Sequence, residues 1–286
     1  MLDVDLFLRQ VALIAVVLIL HTYIGLHIIR RTLIFSDLVL DQLAAFGALI
    51  GVALAGRLAL SESAVVAKTA ELLKYAAPGS YALAMVAVLF GSLLLAVINP
   101  KTREIPREAV IGILYALALV VSLMLTDKLP GGRVYVEKTL SGYMEWVRWP
   151  LVWVTIIVYI ALLIFHCIFH RKFIALAENP QSLKNERLWD FLLFTTQGII
   201  TVLIVPIAGV LLAYAFLMIP AAIAAMFTKR WAGAVLLGWS IGFVACLIGL
   251  CSSYFFDFTY GPSLVLSLGA FFIVAVIIRS LCWKKG

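Results

Sequence analysis

Charged side chains are scarce in this sequence, because Asp, Glu, Lys and Arg together make up only 13% of its 286 residues. Hydrophobic residues make up 64%, and the mean hydropathy is +1.11. Both values are far from those of soluble globular domains. The composition therefore excludes a water-soluble enzyme or binding module and predicts a protein that crosses a membrane several times.

The sequence also lacks the common signatures of catalysis. It has no Gly-x-x-x-x-Gly-Lys-Ser/Thr loop for nucleotide phosphates, so any ATP hydrolysis must belong to a partner. It also has no HExxH helix of metalloproteases. Its four cysteines show no CxxC spacing, which argues against a disulfide framework or a zinc site. We therefore expect a protein that is not itself an enzyme.

The net charge of +7 is spread over the ends of the apolar runs and forms no patch. Dispersed Lys and Arg are typical of topology signals and not of a nucleic-acid surface, so no nucleic acid partner is expected. The positive-inside rule places most of the 22 basic residues in the cytoplasm, including Lys284 and Lys285, and predicts an external N-terminus. Membrane lipid is therefore an expected partner.

Repeated apolar runs of about 17 to 25 residues match the thickness of a bilayer. Their connections are too short to fold alone, so we predict a single membrane domain over residues 1–286. Charged residues within 57–78 recur among apolar ones at helical spacing, which is more typical of a helix on the membrane surface than of a span. The fold class is then all-α, a bundle of about eight or nine spanning helices. The predicted spans are 6–29, 36–56, 79–98, 109–126, 149–169, 189–207, 209–227, 231–252 and 262–282.

Two carboxylates interrupt the second apolar run. Asp37 and Asp41 are four residues apart and share one face of a helix. Ionisable groups are expensive to keep in a membrane and by default indicate a functional site. We therefore predict that the pair lies on or beside a translocation pathway. The alternative is that Asp37, just after Ser36, only caps the start of a helix and interacts with its dipole.

The histidines are weaker candidates. His21 and His27 are six residues apart and do not share a helix face, so at most one of them points toward the pathway. His166 and His170 have the i, i+4 spacing of metal ligands, but histidines at the membrane surface are the commoner explanation. Polar contacts within the bundle are expected for two further residues, Asp190 and Gln197.

The stretch 206–231 contains seven Ala and one Gly, together with Pro206 and Pro220. Small residues let helices approach closely, and Pro220 interrupts the helical hydrogen bonds. Taken alone, this pattern favours ordinary packing of the bundle. The alternative is a helix break at Pro220, followed by a short helix over 221–231 that lies across the cytoplasmic face.

Four motifs follow one another along the chain. They are RRTLIFSD at 30–37, REAVIGI at 107–113, GVLL and then IPAA at 209–222, and SYFFD and then Gly-Pro at 253–262. In order and spacing they resemble the integral membrane permeases of ABC importers for zinc, manganese and iron, over nearly the whole chain. Three positions depart from the family: Ser36 replaces a glycine, Asp41 a histidine and Thr259 a proline.

The resemblance implies a permease dimer, either a homodimer or a heterodimer with a related permease, in the cytoplasmic membrane of a prokaryote. Two ATP-binding-cassette ATPase subunits would dock on its cytoplasmic side, and an extracytoplasmic metal-binding protein would deliver the cargo. A divalent metal ion would be the transported substrate, with no permanently bound cofactor. Asp37 and Asp41 would contact the metal. The residues that couple transport to the ATPase would be Pro220, Ala221, Ala222, Thr228, Lys229 and Arg230.

The departure at Asp41 bears on the choice of metal. Losing the histidine removes a nitrogen ligand, and two carboxylates form an all-oxygen pair that suits manganese or ferrous iron better than zinc. In a dimer, four carboxylates would repel one another unless a cation neutralised them. Two other interpretations stay open: an ion-coupled secondary transporter whose carboxylates relay protons, or a non-transporting membrane scaffold or sensor with the same fold.

Overall fold

The computed structural model describes residues 3–59, 77–98, 105–128, 142 and 147–283. Within these ranges the regular elements are helices and no residue forms a strand, which confirms the predicted all-α bundle. The described elements are α1 (Val4–Arg30), α2 (Phe35–Ala59), α3 (Ala77–Val97), α4 (Arg107–Thr126), α5 (Trp149–Ile168), α6 (His170–Glu178), a short 3-10 helix (Pro180–Ser182), α7 (Glu186–Phe227), α8 (Trp231–Phe256) and α9 (Tyr260–Trp283).

Seven of the described helices are long and apolar enough to cross a membrane. The longest, α7, has 42 residues, or about 63 Å of helix, which is twice the hydrocarbon thickness of a bilayer. It is broken at Gly209, where φ is 77° and ψ is 163°, a conformation that glycine adopts readily. This break separates the two spans predicted at 189–207 and 209–227. Together with the 25 residues of α2, the helices agree with eight or nine spans.

The chain divides into two compact units. Unit 1 comprises Met1–Ile34, Ser141–Glu186 and Ile207–Gly286, and unit 2 comprises Phe35–Leu140 and Arg187–Pro206. Each unit contains apolar helices of membrane-spanning length, and the prediction of one membrane domain over residues 1–286 stays a prediction. The surface helix predicted at 57–78 lies outside the described residues except for its two ends, which belong to α2 and α3.

In unit 2, α2 and α3 pack closely because small residues face each other. Gly47 lies against the backbone of Leu83 and Ala84, and Gly51 lies against Ser80. A Cβ atom at Gly47 would come within 2.5 Å of the Leu83 carbonyl oxygen, which is too close for a non-bonded contact. Such close approach through small residues is typical of helix pairs in membranes. It fixes α2, the helix that carries the two carboxylates, against its neighbour.

In unit 1, Pro220 lies inside the second half of α7 without breaking it. The helix continues to Phe227, so the alternative of a break at Pro220 and a separate short helix after it is wrong, and the structure agrees with the favoured interpretation of ordinary packing. Pro220 packs against Gly238 and Gly242 of α8, where any side chain would collide with it. A proline is tolerated inside a membrane helix when neighbouring helices fill the space around it and compensate the lost hydrogen bond.

Candidate functional site

The first turn of α2 carries the candidate site. The helix begins at Phe35, whose backbone N–H donates a 2.9 Å hydrogen bond to Oε1 of Glu108 at the start of α4. Glu108 therefore satisfies one of the free N–H groups that every helix N-terminus exposes. Asp37 and Asp41 follow on successive turns and are 2% and 0% exposed. Their carboxylates are near enough to repel each other.

Two polar residues of α7 face this pair. The side-chain amide of Gln197 donates a 2.8 Å hydrogen bond from Nε2 to Asp37 Oδ1. Thr201 lies one turn further along α7, and its hydroxyl is next to Asp41. Gln197 and Thr201, like the two aspartates, have the i, i+4 spacing of residues on one helix face. A polar face of α7 therefore lies against the polar face of α2. Gln197 and Thr201 are 0% and 3% exposed, so the whole group is shielded from solvent.

Four oxygen atoms of this group have no hydrogen-bond partner among the described residues. They are Asp37 Oδ2, both carboxylate oxygens of Asp41 and Gln197 Oε1. Buried polar atoms are nearly always hydrogen-bonded, so a cluster of such oxygens needs an explanation. The arrangement has the chemistry of a site for a hard cation, which carboxylate, amide and hydroxyl oxygens coordinate well. No group of three His, Cys, Asp or Glu side chains suited to a metal occurs among the residues described, so amide and hydroxyl oxygens would have to complete the set.

A buried ion pair anchors this part of α7. Arg107, the first residue of α4, contacts Asp190 at 3.1 Å and donates a 2.6 Å hydrogen bond to the Leu95 carbonyl of α3. Its guanidinium also lies 5.7 Å from the centre of the Phe194 ring. Asp190 is two helical turns before Gln197. As predicted, Asp190 and Gln197 both make polar contacts within the bundle.

The histidines predicted as weaker candidates belong to unit 1, whereas Asp37 and Asp41 belong to unit 2. His21 is buried, its Nδ1 lies 3.0 Å from the Val17 carbonyl oxygen, and its ring stacks on Tyr159. His27 is also buried, with its ring 4.4 Å from that of Trp231. These surroundings are those of packed aromatic side chains.

The i, i+4 pair His166 and His170 has a similar setting. His166 is buried with its ring 4.4 Å from that of Phe173. His170 is exposed, and its Nδ1 lies 3.2 Å from the Cys167 carbonyl oxygen. Neither belongs to a group of three potential metal ligands in the described part of the chain. The explanation of the two histidines as residues at the membrane surface stays a prediction.

Comparison with known proteins places this bundle in a family. Residues 5–279 match the family model described as the ABC 3 transport family. The chain belongs to the ABC 3 transport family. The resemblance seen in the four sequence motifs is thereby confirmed. As a member of this family, with its apolar helices, it is a multi-pass protein of a prokaryotic cell membrane.

The chain is similar to several bacterial membrane proteins. The manganese transport system membrane protein MntC of Listeria innocua is 27% identical over 63% of this chain and 65% of its own length. An uncharacterized membrane protein of Synechocystis is 23% identical over 60% of this chain and 63% of its own length. The manganese import system permease protein ScaB of Streptococcus parasanguinis is 27% identical over 44% of this chain and 46% of its own length. The chain spans slightly less than two thirds of the first relatives that it matches.

One solved structure, PsaBC from Streptococcus pneumoniae in complex with Fab, contains a chain with a similar fold. The TM-score is 0.70 at 20% identity, and the likeness covers 94% of this chain and 90% of that chain. At such low identity the likeness shows the fold alone. It confirms that the helical bundle described above is a fold that occurs in a solved structure.

The residues predicted to couple this ABC 3 family chain to an ATPase are only partly exposed. Pro220 and Ala221 are buried in the packing of α7. The side chains of Lys229 and Arg230 are exposed in the turn between α7 and α8. The Thr228 hydroxyl accepts a 3.2 Å hydrogen bond from the Arg230 N–H and shapes this turn. A partner could therefore reach the turn, whereas Pro220 and Ala221 act inside the bundle.

Sequence reasoning missed two features of the site. Gln197 and Thr201 were not predicted to face the aspartates, although their i, i+4 spacing inside an apolar span was a visible signal. Glu108 was recognised only as part of a motif, and its contact with the first residue of α2 was not foreseen. Glu108 therefore caps the start of α2, the role that was considered for Asp37. Asp37 Oδ1 instead accepts a hydrogen bond from Gln197.

Proposed function

We propose that this chain is the membrane permease subunit of an ATP-driven importer of a divalent metal ion, with manganese or ferrous iron preferred over zinc. The observation that carries the proposal is the cluster of four buried oxygens without hydrogen-bond partners on Asp37, Asp41 and Gln197. Family membership supports transport, and the names of the relatives MntC and ScaB support manganese.

The donor set supports this order of metals. Manganese and other hard cations favour carboxylate, carbonyl and water ligands, whereas zinc in proteins is bound mainly by Cys and His. Asp37, Asp41, Gln197 and Thr201 supply oxygen donors only. A divalent cation would also remove the repulsion between the two carboxylates, which gives the ion a favourable resting point inside the membrane.

In the proposed complex, the oxygens of unit 2 bind the ion while access alternates between the two sides of the membrane. A second permease subunit would pair with this chain, and ATP-binding-cassette ATPases would dock at the exposed turn around Lys229 and Arg230. An extracytoplasmic metal-binding protein would deliver the ion. This chain would supply the binding site and the pathway for the ion, and the partner ATPases would supply the energy from ATP hydrolysis.

The proposed function can be tested by purifying the chain from its native membrane and assaying the ATPase activity of the eluate. The external binding protein is added without metal or loaded with manganese, ferrous iron or zinc. We expect an associated ATPase that manganese- or iron-loaded binding protein stimulates more than the zinc-loaded form. A chain that purifies without any ATPase would contradict the importer and favour secondary transport or a scaffold.

The role of Gln197 gives a sharper prediction. In the Gln197→Leu variant the amide oxygen is lost, and we expect the apparent affinity for manganese in uptake to fall by about 10- to 100-fold. Gln42 of α2 is a matched control, because it is also a buried glutamine in unit 2, at 4% exposed, and as the residue after Asp41 it lies on a different face of the helix. Equal losses in Gln42→Leu and Gln197→Leu would show that the amide oxygen has no specific role.

A further inference from the structure

Unit 1 contains an apolar groove that the proposed transport function does not use. Its volume is about 540 Å³, within the range of ligand-binding cavities. Helices α1, α5, α6 and α8 all contribute to its wall. The lining side chains are Ile19, Tyr23, Leu163, His166, Cys167, His170, Ile174, Trp231, Ala232, Val235, Leu236 and Trp239.

Two tryptophan rings in the wall of this groove are held in place. The indole N–H of Trp231 donates a 2.8 Å hydrogen bond to Glu178, and the Arg30 guanidinium lies 3.8 Å from the centre of its ring. The indole N–H of Trp239 donates a 2.9 Å hydrogen bond to the Ala15 carbonyl. These contacts fix the positions of both rings in the wall of the groove.

The groove has the depth of one leaflet of a bilayer. Trp231 and Trp239 are two turns apart on α8, which corresponds to about 12 Å along the helix axis. Half of the hydrocarbon core is about 15 Å thick. Leu236 is 65% and Ile19 is 36% exposed, so the groove opens to the outside of the helices. An acyl chain fits this apolar, elongated space.

One end of the groove is positively charged. His170 lines this end, and the exposed side chain of Arg171 follows it directly. The exposed Arg230 immediately precedes Trp231, at the start of α8. The nearby acid Glu178 is paired with Arg30 at 2.9 Å and does not offset these charges. The positive-inside rule assigns this end to the cytoplasmic side, where anionic lipid headgroups lie.

We infer that this groove binds one acyl chain of an anionic phospholipid of the cytoplasmic leaflet, whose phosphate lies against Arg171 and Arg230. The apolar wall recognises the chain, and the two arginines select the negative headgroup over a zwitterionic one. The site lies beside the exposed turn at 228–230. It shares no residue with the metal site. Arg230 also belongs to the turn proposed to contact the ATPase, so lipid contact is measured on the chain alone, separately from the proposed transport function.

Tryptophan fluorescence tests this inference, because bromine atoms on a lipid chain quench an indole ring that they touch. The full-length chain is placed in phosphatidylcholine vesicles that contain equal shares of either brominated phosphatidylglycerol or brominated phosphatidylcholine. We expect stronger quenching by the brominated phosphatidylglycerol. In the double variant Arg171→Gln and Arg230→Gln, we expect this preference to fall about fivefold or more. Lys184→Gln combined with Arg187→Gln removes the same charge from exposed positions and should keep the preference.

A second pair of variants locates the lipid. Ala232→Phe places a ring in the groove and should abolish the preference, whereas Ala161→Phe places the same ring on an exposed part of α5 that does not line the groove. Equal quenching by both brominated lipids in the unaltered chain would overturn the inference. So would an unchanged preference in Ala232→Phe. Quenching that falls as the chain self-associates would show that a second copy covers the groove, and this too would overturn it.

Discussion

Replacing Asp41 by asparagine is expected to reduce manganese uptake at least about 100-fold while the transport complex still assembles. The substitution keeps the size of the side chain but removes one of two negative charges that face the proposed ion. Both oxygens of Asp41 are buried, and the nearby Thr201 hydroxyl is not aligned for a regular hydrogen bond to either of them, so little of the fold depends on this carboxylate. Uptake of radioactive manganese by cells, with the amount of co-purified complex measured in parallel, checks the result.

Asp257→Asn is a matched control for this prediction. Asp257 belongs to another of the family-like motifs, but it is exposed and has a left-handed φ of 55°, which asparagine accommodates well. We expect nearly normal uptake in this variant. Asp41→Glu keeps the negative charge on a side chain that is one methylene longer. This variant should retain part of the uptake that Asp41→Asn loses. Normal uptake in Asp41→Asn, with the complex intact, would contradict the assignment of the site.

Much of the fold could be predicted because the bilayer itself sets the length of the apolar runs. The two spans predicted at 189–207 and 209–227 meet at the observed break, Gly209, where the chain adopts a φ that suits glycine. The helix stays unbroken at Pro220, the other position where a break was considered, for a reason that lies in another part of the sequence. Whether a proline bends a membrane helix depends on what packs beside it, and here Gly238 and Gly242 receive it.

The candidate site could be predicted only in part, for a similar reason. Asp37 and Asp41 were visible because a charge within an apolar run is rare and costly. An amide such as Gln197 is far less costly, so its presence in a span does not indicate a site. Only the register of α7 against α2 brings Nε2 of Gln197 to within 2.8 Å of Asp37 Oδ1. That register depends on contacts between helices distant in sequence, which no local pattern encodes.

The largest effect on stability is expected when the ion pair between Arg107 and Asp190 is broken. Asp190 is 1% exposed and Arg107 is 14% exposed, so neither charge is well solvated by water. In Arg107→Leu the carboxylate of Asp190 loses its countercharge, and we expect a destabilisation of about 3–5 kcal/mol. Thermal unfolding of the purified chain in detergent measures this as a lower midpoint. Asp5→Asn, which weakens the exposed pair with Arg9, should change the midpoint little.

The double variant Arg107→Leu and Asp190→Leu separates the role of the charges from that of the shape. Both charges are then absent, and we expect most of the lost stability to return, because the cost of a broken buried pair is mainly that of the charge left behind. Since Arg107 also bonds the Leu95 carbonyl, recovery should be incomplete. If the loss of stability in the double variant equals the sum of the losses in the two single variants, the pair contributes through packing and not through charge. If it recovers stability but loses manganese uptake, the pair positions α7, and with it Gln197, against the two aspartates.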